Sequence, residues 1–221
     1  MKKIIAIIFS ILFASFSANA EIGVNVGVSG QVGLFAASGS ETTAGLAAHK
    51  DKRTEHGEAA WGSIFIEKSI GDRLLVGIDY VPAALESETT ETAKSDMRTD
   101  GANTRTTSTN KVQIDFEDLT TFYLGLNLTE NLYAKAGIVR VDVITNEKLE
   151  TGSTYGNTDL DGMMLGVGYN KTMDSGIFLR VEGNYMDFDS QSLTASSGEA
   201  NKIELSQLHG VSGKVSIGKS F

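Results

Sequence analysis

Apolar and polar residues alternate along most of the chain with a period of two. From Ile22 to Ala36 the even positions are almost all apolar, and the odd positions between them are small or polar. Because successive side chains of a strand point to opposite faces, this pattern predicts a β-strand and not a helix. The alternation continues for about 15 residues, whereas soluble strands usually run about 5–6 residues and tilted membrane strands about 9–11. The length favours a strand that crosses a membrane.

Seven further segments show strand-like patterns of comparable length: 59–69, 73–84, 112–128, 132–143, 160–171, 177–188 and 203–221. The connections between the eight segments alternate strictly in length along the chain. The long ones are 38–58, 85–111, 144–159 and 189–202. Outer-membrane barrels have short periplasmic turns and long extracellular loops, whereas both ends of a soluble sandwich face water. The sequence therefore predicts an all-β fold, an eight-stranded antiparallel up-and-down transmembrane β-barrel with short periplasmic turns and long extracellular loops. A soluble periplasmic β-protein is the alternative.

The first 20 residues have the features of a secretory signal peptide. Lys2 and Lys3 precede an apolar run over 4–16, and Ala18 and Ala20 form the small-x-small pattern that signal peptidase recognises. We therefore expect residues 1–20 to be a cleaved signal and residues 21–221 to be one outer-membrane barrel domain. The expected location is the bacterial outer membrane, with outer-membrane lipid as a partner.

Composition narrows the chemistry that the exported chain can perform. It contains no cysteine, 24 glycines and one proline, which suits many-stranded sheet because proline removes a backbone donor from the ladder. Without Lys2 and Lys3 the chain has 17 basic and 28 acidic residues, a net charge of −11. Nucleic acid is therefore not an expected partner. We expect no cofactor.

Charged residues in the strands predict the contents of the barrel. If the apolar faces contact lipid, the opposite faces point inward, and both signs of charge occur there, as buried charges require. The predicted interior charge network consists of Glu67, Asp79, Asp115, Glu117, Lys135, Arg180, Glu182 and Lys214. Arg180 and Glu182 are two residues apart on one strand and therefore share a face. A side-chain-filled interior is the main interpretation, and a path for ions is the alternative.

Segment 132–143 breaks the alternation. Lys135 is at an odd position, whereas Arg140 and Asp142 are at even positions with valines between them. Either a bulge within 137–139 restores the pattern, or the upper part of this strand lies above the lipid. The sequence leaves both open.

Aromatic residues concentrate towards the strand ends, which predicts the two interfacial girdles of a membrane barrel. They are Phe35, Trp61, Tyr80, Phe116, Phe122, Tyr133, Tyr169 and Tyr185.

The chain resembles the small eight-stranded outer-membrane barrels, the opacity-protein and OmpA/OmpX-like class. The resemblance lies in the signal sequence, in the Gly-Ile-Asp-Tyr-Val-Pro run at 77–82, in the Phe-Leu-Arg-Val-Glu-Gly-Asn-Tyr run at 178–185 and in the terminal segment 211–221. It covers the whole mature chain as an architecture.

That class implies a C-terminal signal for the barrel assembly machinery, which becomes an expected partner. The positions that match are Val211, Val215, Ile217 and the terminal Phe221. Lys219 departs from the class, which usually has an apolar or aromatic residue there; a lysine can reach the interface with its long side chain.

No residue pattern specifies an enzyme. Of the three histidines, His49 and His56 lie in the first long connection and His209 in the last strand, and two histidines seven apart define no metal geometry. We therefore expect no enzymatic activity, although a hydrolase at the outer rim remains a hypothesis. The main prediction is a structural or surface-interaction role, such as adhesion or recognition, in which the extracellular loops bind a ligand or surface partner. The alternative is a narrow porin-like channel for small solutes or ions.

Overall fold

The computed structural model describes residues 23–43, 49–86, 90–97, 105–148, 154–196 and 201–221. The predicted signal peptide, residues 1–20, lies outside these ranges and stays a prediction. Within the described ranges no helix is long and apolar enough to span a membrane.

These ranges form eleven strands: β1 (Val24–Thr43), β2 (His49–Ile70), β3 (Leu74–Tyr80), β4 (Leu85–Glu86), β5 (Thr90–Met97), β6 (Arg105–Asn127), β7 (Leu132–Lys148), β8 (Thr158–Thr172), β9 (Ile177–Phe188), β10 (Gln191–Thr194) and β11 (Lys202–Ser220). Eight of them form a closed antiparallel ring in the order β1, β2, β3, β6, β7, β8, β9, β11, and β11 pairs back with β1. The predicted eight-stranded barrel is confirmed. Closure pairs the edges that a membrane sheet cannot leave exposed.

The two ends of the barrel differ in the length of their connections. At one end, short turns join β2 to β3, β6 to β7, and β8 to β9; Gly71 and Gly176 adopt φ angles of 61° and 79° in the first and last of them. At the other end, much of the predicted loop sequence is strand. β1 and β2 remain paired as far as Thr43 and His49, and β6 already begins at Arg105. The strands therefore continue the wall well beyond the lipid as extracellular ribbons. β4 and β5 pair with β6, and β10 pairs with β11.

The outward face carries a band of exposed apolar side chains. Val32, Leu124 and Met163 are 63%, 62% and 65% exposed, which is unfavourable in water and expected against lipid. Towards the extracellular end the outward residues become polar. They include His56 and Glu58 on β2, Arg140 on β7, Asp161 on β8, Asp187 on β9 and His209 on β11. We call this set the outer rim.

A β-bulge in β6 changes which residues face inward. Glu117 pairs with Asp142 and Thr120 pairs with Arg140, so β6 has one more residue here than β7. Asp118 lies within the bulge, with a φ of 53°. In contrast, β7 pairs regularly with β8 from Leu132 to Val143. The bulge therefore lies in the neighbouring strand, and a bulge within 137–139, one of the two alternatives that the sequence left open, is absent.

Asp115 and Glu117 were predicted to be interior, and this prediction is wrong because of the bulge. Beyond the bulge the alternation is reversed, so that Ile114 and Phe116 pack against the interior core. Asp115 is partly buried and accepts hydrogen bonds from Gln113 and from Asn146, and Glu117 is exposed. Both carboxylates lie on the opposite face from the interior.

The predicted aromatic girdles need a similar correction. Tyr169 and Tyr185 do lie outward and are 49% and 43% exposed. Trp61 and Tyr133 are instead buried inside the barrel. Trp61 is an even number of residues from the interior Glu67 on β2, and Tyr133 is two residues from the interior Lys135 on β7, so each lies on the inward face of its strand.

Candidate functional site: the barrel interior and the outer rim

The lower interior, towards the short turns, centres on an ion pair between Arg180 of β9 and Glu67 of β2. The guanidinium binds the carboxylate in a bidentate fashion, with Nη1–Oε1 at 2.6 Å and Nη2–Oε2 at 2.9 Å. Tyr123 donates its hydroxyl hydrogen to Glu67 Oε1 at 2.7 Å, and Asn25 donates to Oε2 at 3.2 Å. Glu67 is thus bonded to side chains from three other strands, which ties opposite walls of the barrel together.

Two further ion pairs lie beside the first. Lys135 donates to Glu182 Oε2 at 2.9 Å, and Tyr133 donates to the other oxygen of the same carboxylate. Lys214 pairs with Asp79. All these charged side chains are at least nine-tenths buried.

The cations of this cluster also contact aromatic rings. The Arg180 guanidinium lies 5.0 Å from the ring centres of Tyr133 and Phe178, and Lys135 Nζ lies 5.0 Å from that of Tyr123. Ring faces stabilise cations, most strongly where water is excluded. Three cations and three carboxylates balance, so the cluster has no net formal charge. We call these six residues with Tyr123 and Tyr133 the charged layer.

Six of the eight residues predicted for the interior network are brought together in the charged layer. They are Glu67, Asp79, Lys135, Arg180, Glu182 and Lys214. The other two, Asp115 and Glu117, lie above it on the opposite face. Within the layer Glu182 pairs with Lys135 of β7, Arg180 pairs with Glu67 of β2, and Lys214 pairs with Asp79 of β3.

Above the charged layer the interior is apolar. The buried members of this apolar layer are Trp61, Val81, Val139, Val141, Val143, Leu160, Met164, Met186 and Phe188, partly covered by Phe35, Leu85, Ile114, Phe116 and Leu119. Sequence reasoning missed this layer. The signal was present in β7, where Val139, Val141 and Val143 have the same parity as the interior Lys135.

A cavity of about 30 Å³ separates the two layers. It is lined by Trp61, Asn184 and Ser212, whose indole N–H, amide oxygen and hydroxyl have no protein hydrogen-bond partner, and by Lys135 and Lys214. A space of this size and polarity is large enough for a water molecule. It is far smaller than the aqueous lumen of a porin.

The outer rim carries three carboxylates, those of Glu58, Asp161 and Asp187, and one guanidinium, that of Arg140. Arg140 forms an ion pair with Asp159 and approaches Asp161 at 3.6 Å. These side chains are about half exposed, so the pairs lie in a high dielectric and contribute little to stability.

The extracellular segments above the rim are joined by hydrogen bonds. Ser196 N–H donates to the Thr154 carbonyl at 2.8 Å, which connects the β10–β11 connection to the segment before β8. Glu147 accepts a hydrogen bond from Tyr155 N–H, and partial burial raises the pKa of the Glu147 carboxyl.

Of the histidines considered for catalysis or metal binding, the two whose side chains the structure describes form no recognisable centre. His56 and His209 lie outward on β2 and β11, on either side of β1, and His49 begins β2. Among the described residues no group of three or more histidines, aspartates or glutamates is arranged to hold a metal ion.

The C-terminal residues implied in assembly share the outward face. Val211, Val215, Ile217 and Phe221 are all more than half exposed. The Phe221 N–H donates to the Val24 carbonyl at 2.9 Å, which joins the terminus to the first strand.

Comparisons with known proteins support the fold through structure and not through sequence. No family model and no curated protein matches this chain. The outer membrane protein OprG from Pseudomonas aeruginosa is similar in structure, with a TM-score of 0.56 and 9% identity over 90% of this chain and 97% of that one.

Two other solved structures match with lower scores. The outer membrane protein AlkL has a TM-score of 0.49 and 14% identity over 94% of both chains. The outer membrane protease OmpT from Escherichia coli has a TM-score of 0.45 and 9% identity over 94% of this chain and 99% of that one. Together with the closed eight-stranded ring and the exposed apolar band, the likeness to OprG shows that this chain has the fold of the small β-barrels of the bacterial outer membrane.

Proposed function

We propose that the protein is a closed barrel that acts through its extracellular surface, as a recognition or adhesion protein, and not as a channel or an enzyme. The filled interior is the observation that carries the proposal. The charged layer and the apolar layer occupy successive levels, and the cavity between them measures about 30 Å³. Solutes that crossed would have to displace paired charges and packed side chains, at a large free-energy cost.

The extracellular ribbons support the second part of the proposal. β1, β2, β6, β7 and β11 extend beyond the outer rim, and a hydrogen bond between Ser196 and Thr154 joins the β10–β11 connection to the segment before β8. A partly ordered surface loses less conformational entropy on binding than a disordered loop does.

Charge indicates the kind of partner. Carboxylates outnumber cations on the outward residues at and above the rim, where Glu117 and Asp142 are direct cross-strand neighbours. A partner with a basic surface would be attracted by this field and would approach faster at low salt.

Single-channel recording in planar bilayers tests closure. The purified barrel should give no stepwise conductance, whereas reproducible steps would overturn the closed-barrel proposal.

Binding of a fluorescent oligolysine to the protein in lipid nanodiscs tests the acidic surface. The double variant E117Q/D142N should bind more weakly than the unmodified protein, and oligoglutamate should bind neither. The matched control D72N/D174N neutralises two carboxylates in the short turns at the other end and should leave binding unchanged. Equal weakening by both pairs, or strong binding of oligoglutamate, would contradict the proposed partner chemistry.

A further inference from the structure

The cavity between the charged layer and the apolar layer is lined by polar atoms that the protein itself does not pair. Trp61 of β2, Asn184 of β9 and Ser212 of β11 lie around it and are 6%, 8% and 7% exposed. The indole N–H, the amide Oδ1 and the hydroxyl of these residues have no hydrogen-bond partner among the residues that the structure describes. Burying a polar group without a partner costs free energy, and native proteins rarely do so.

The size and position of the cavity limit the occupant. The volume of about 30 Å³ is large enough for one water molecule and too small for a solute of several heavy atoms. Asn184 and Ser212 are direct cross-strand neighbours on the inward face, so one small molecule can contact both. Trp61 reaches the same space from the other side of β1.

The three unpaired groups require an occupant that both donates and accepts hydrogen bonds. The Trp61 indole N–H can only donate, Asn184 Oδ1 can only accept, and the Ser212 hydroxyl can do either. A halide ion accepts from the indole but leaves Oδ1 without a donor. Water satisfies all three groups.

The charges around the cavity also favour a neutral occupant. The Asp79 carboxylate lines it and would repel an anion, and the ammonium groups of Lys135 and Lys214 line it and would repel a metal cation. These charges already balance one another within the charged layer. An added ion would therefore leave a net charge in a buried site, at a large cost in free energy.

We propose that this cavity is a binding site for one water molecule. The water accepts a hydrogen bond from the Trp61 indole, donates one to Asn184 Oδ1 and forms a third with the Ser212 hydroxyl. These bonds connect β2, β9 and β11 through the interior. The water is part of the packing and not of a path, because packed apolar side chains lie above it and ion-paired side chains lie below it.

Ser212→Ala distinguishes a bound water from an unpaired hydroxyl by the sign of its effect. Removal of an unpaired buried hydroxyl would relieve a cost and stabilise the barrel. Removal of a hydroxyl that binds the water should instead raise the equilibrium constant for unfolding by about fivefold. Urea titration in micelles, followed by Trp61 fluorescence, measures the change. A variant as stable as the unmodified protein, or more stable, would overturn the proposal.

Ser216→Ala is the matched control. Ser216 lies on the inward face of the same strand and is 2% exposed, and its hydroxyl also has no partner in the described part of the chain. It does not line the cavity. Its removal should leave the unfolding equilibrium unchanged or shift it towards the folded state. Both variants remove the same volume, so an equal loss in the two would trace the effect to packing and contradict the water site.

Crystallography of the purified barrel in bromide identifies the occupant directly. The expected result is one density peak within hydrogen-bond distance of the three groups, without an anomalous signal. An anomalous peak at this position would show a halide, and a cavity without density would show that the groups remain unpaired. Either of these results would overturn the assignment of water.

Discussion

The charged layer and the apolar layer of the barrel interior contain different kinds of side chain, although the same strands contribute to both. On β9, Arg180 and Glu182 belong to the charged layer, and Met186 and Phe188, on the same face farther along the strand, belong to the apolar layer. The backbone is a regular strand throughout, so the difference lies in the side chains alone.

This difference predicts two kinds of response to mutation. The attraction within a buried ion pair offsets its desolvation cost only while both partners are present. Removing one partner should therefore lower the free energy of unfolding strongly, and removing both should lower it less. An apolar layer responds in proportion to the volume removed, and no second mutation restores it. Trp61, the single tryptophan, lines the cavity between the two layers and reports unfolding by fluorescence.

The largest effect is expected for Arg180→Met. It leaves the Glu67 carboxylate buried without its cation and should lower the free energy of unfolding by about 3–5 kcal/mol. Urea titration of the barrel in micelles measures this. The double variant R180M/E67M should recover part of the loss, and a double variant that is as unstable as the single one would contradict the account of the charged layer.

A smaller effect is expected in the apolar layer. Val139 is 1% exposed, and Val139→Ala should cost about 2 kcal/mol through lost burial and the cavity left behind. The adjacent Ile138 points outward and is 63% exposed, so Ile138→Ala should cost clearly less in the same titration. If the two losses were equal, the side chains of β7 would not face as described.

Tyr123→Phe tests one hydrogen bond within the charged layer. The hydroxyl donates to Glu67, which keeps Arg180 and Asn25 as partners, so the expected loss is about 1.5 kcal/mol. Tyr185→Phe, which changes an outward tyrosine, is the control and should change little. An unaltered unfolding midpoint for Tyr123→Phe would exclude a structural role for that hydroxyl.

The smallest effect is expected at the outer rim. Arg140→Ala breaks exposed ion pairs with Asp159 and Asp161 and should cost only about 0.2–1 kcal/mol. The difference in stability between the variant and the unmodified protein should disappear in about 1 M salt, because salt at this concentration screens charges only a few ångströms apart. A loss that persists in salt would mean that Arg140 acts through packing.

Much of this architecture could be predicted from the sequence because a lipid-facing band forces alternation. Apolar residues had to recur at every second position, and the lengths of the connections distinguished the two ends. The same parity placed Glu67, Lys135 and Arg180 on the inward face, where the structure has them.

The errors have a common physical origin. Assigning every second residue to the same face assumes that the strands pair without interruption. The extra residue at the β6 bulge reverses the alternation, so Asp115 and Glu117 were predicted on the wrong face. The length of the extracellular ribbons was not predicted. Both faces of a ribbon are in water and carry polar residues, so the sequence of 38–58 shows no alternation that would distinguish it from a loop. Which cation pairs with which carboxylate depends on the relative height of residues on strands that are not adjacent. The alternation of apolar and polar residues within one strand does not give this height.

The pairing of β1 with β11 has a consequence for the order of events in the life of the chain. The first strand finds its second neighbour only when the last residues, up to Phe221, have been made and delivered. Contacts so distant in sequence form slowly, because the loop that joins them must close first. Until then β1 presents an open edge, able to pair with any extended chain nearby. Pairing with β11 therefore also removes the open edge of β1 at which another chain could add.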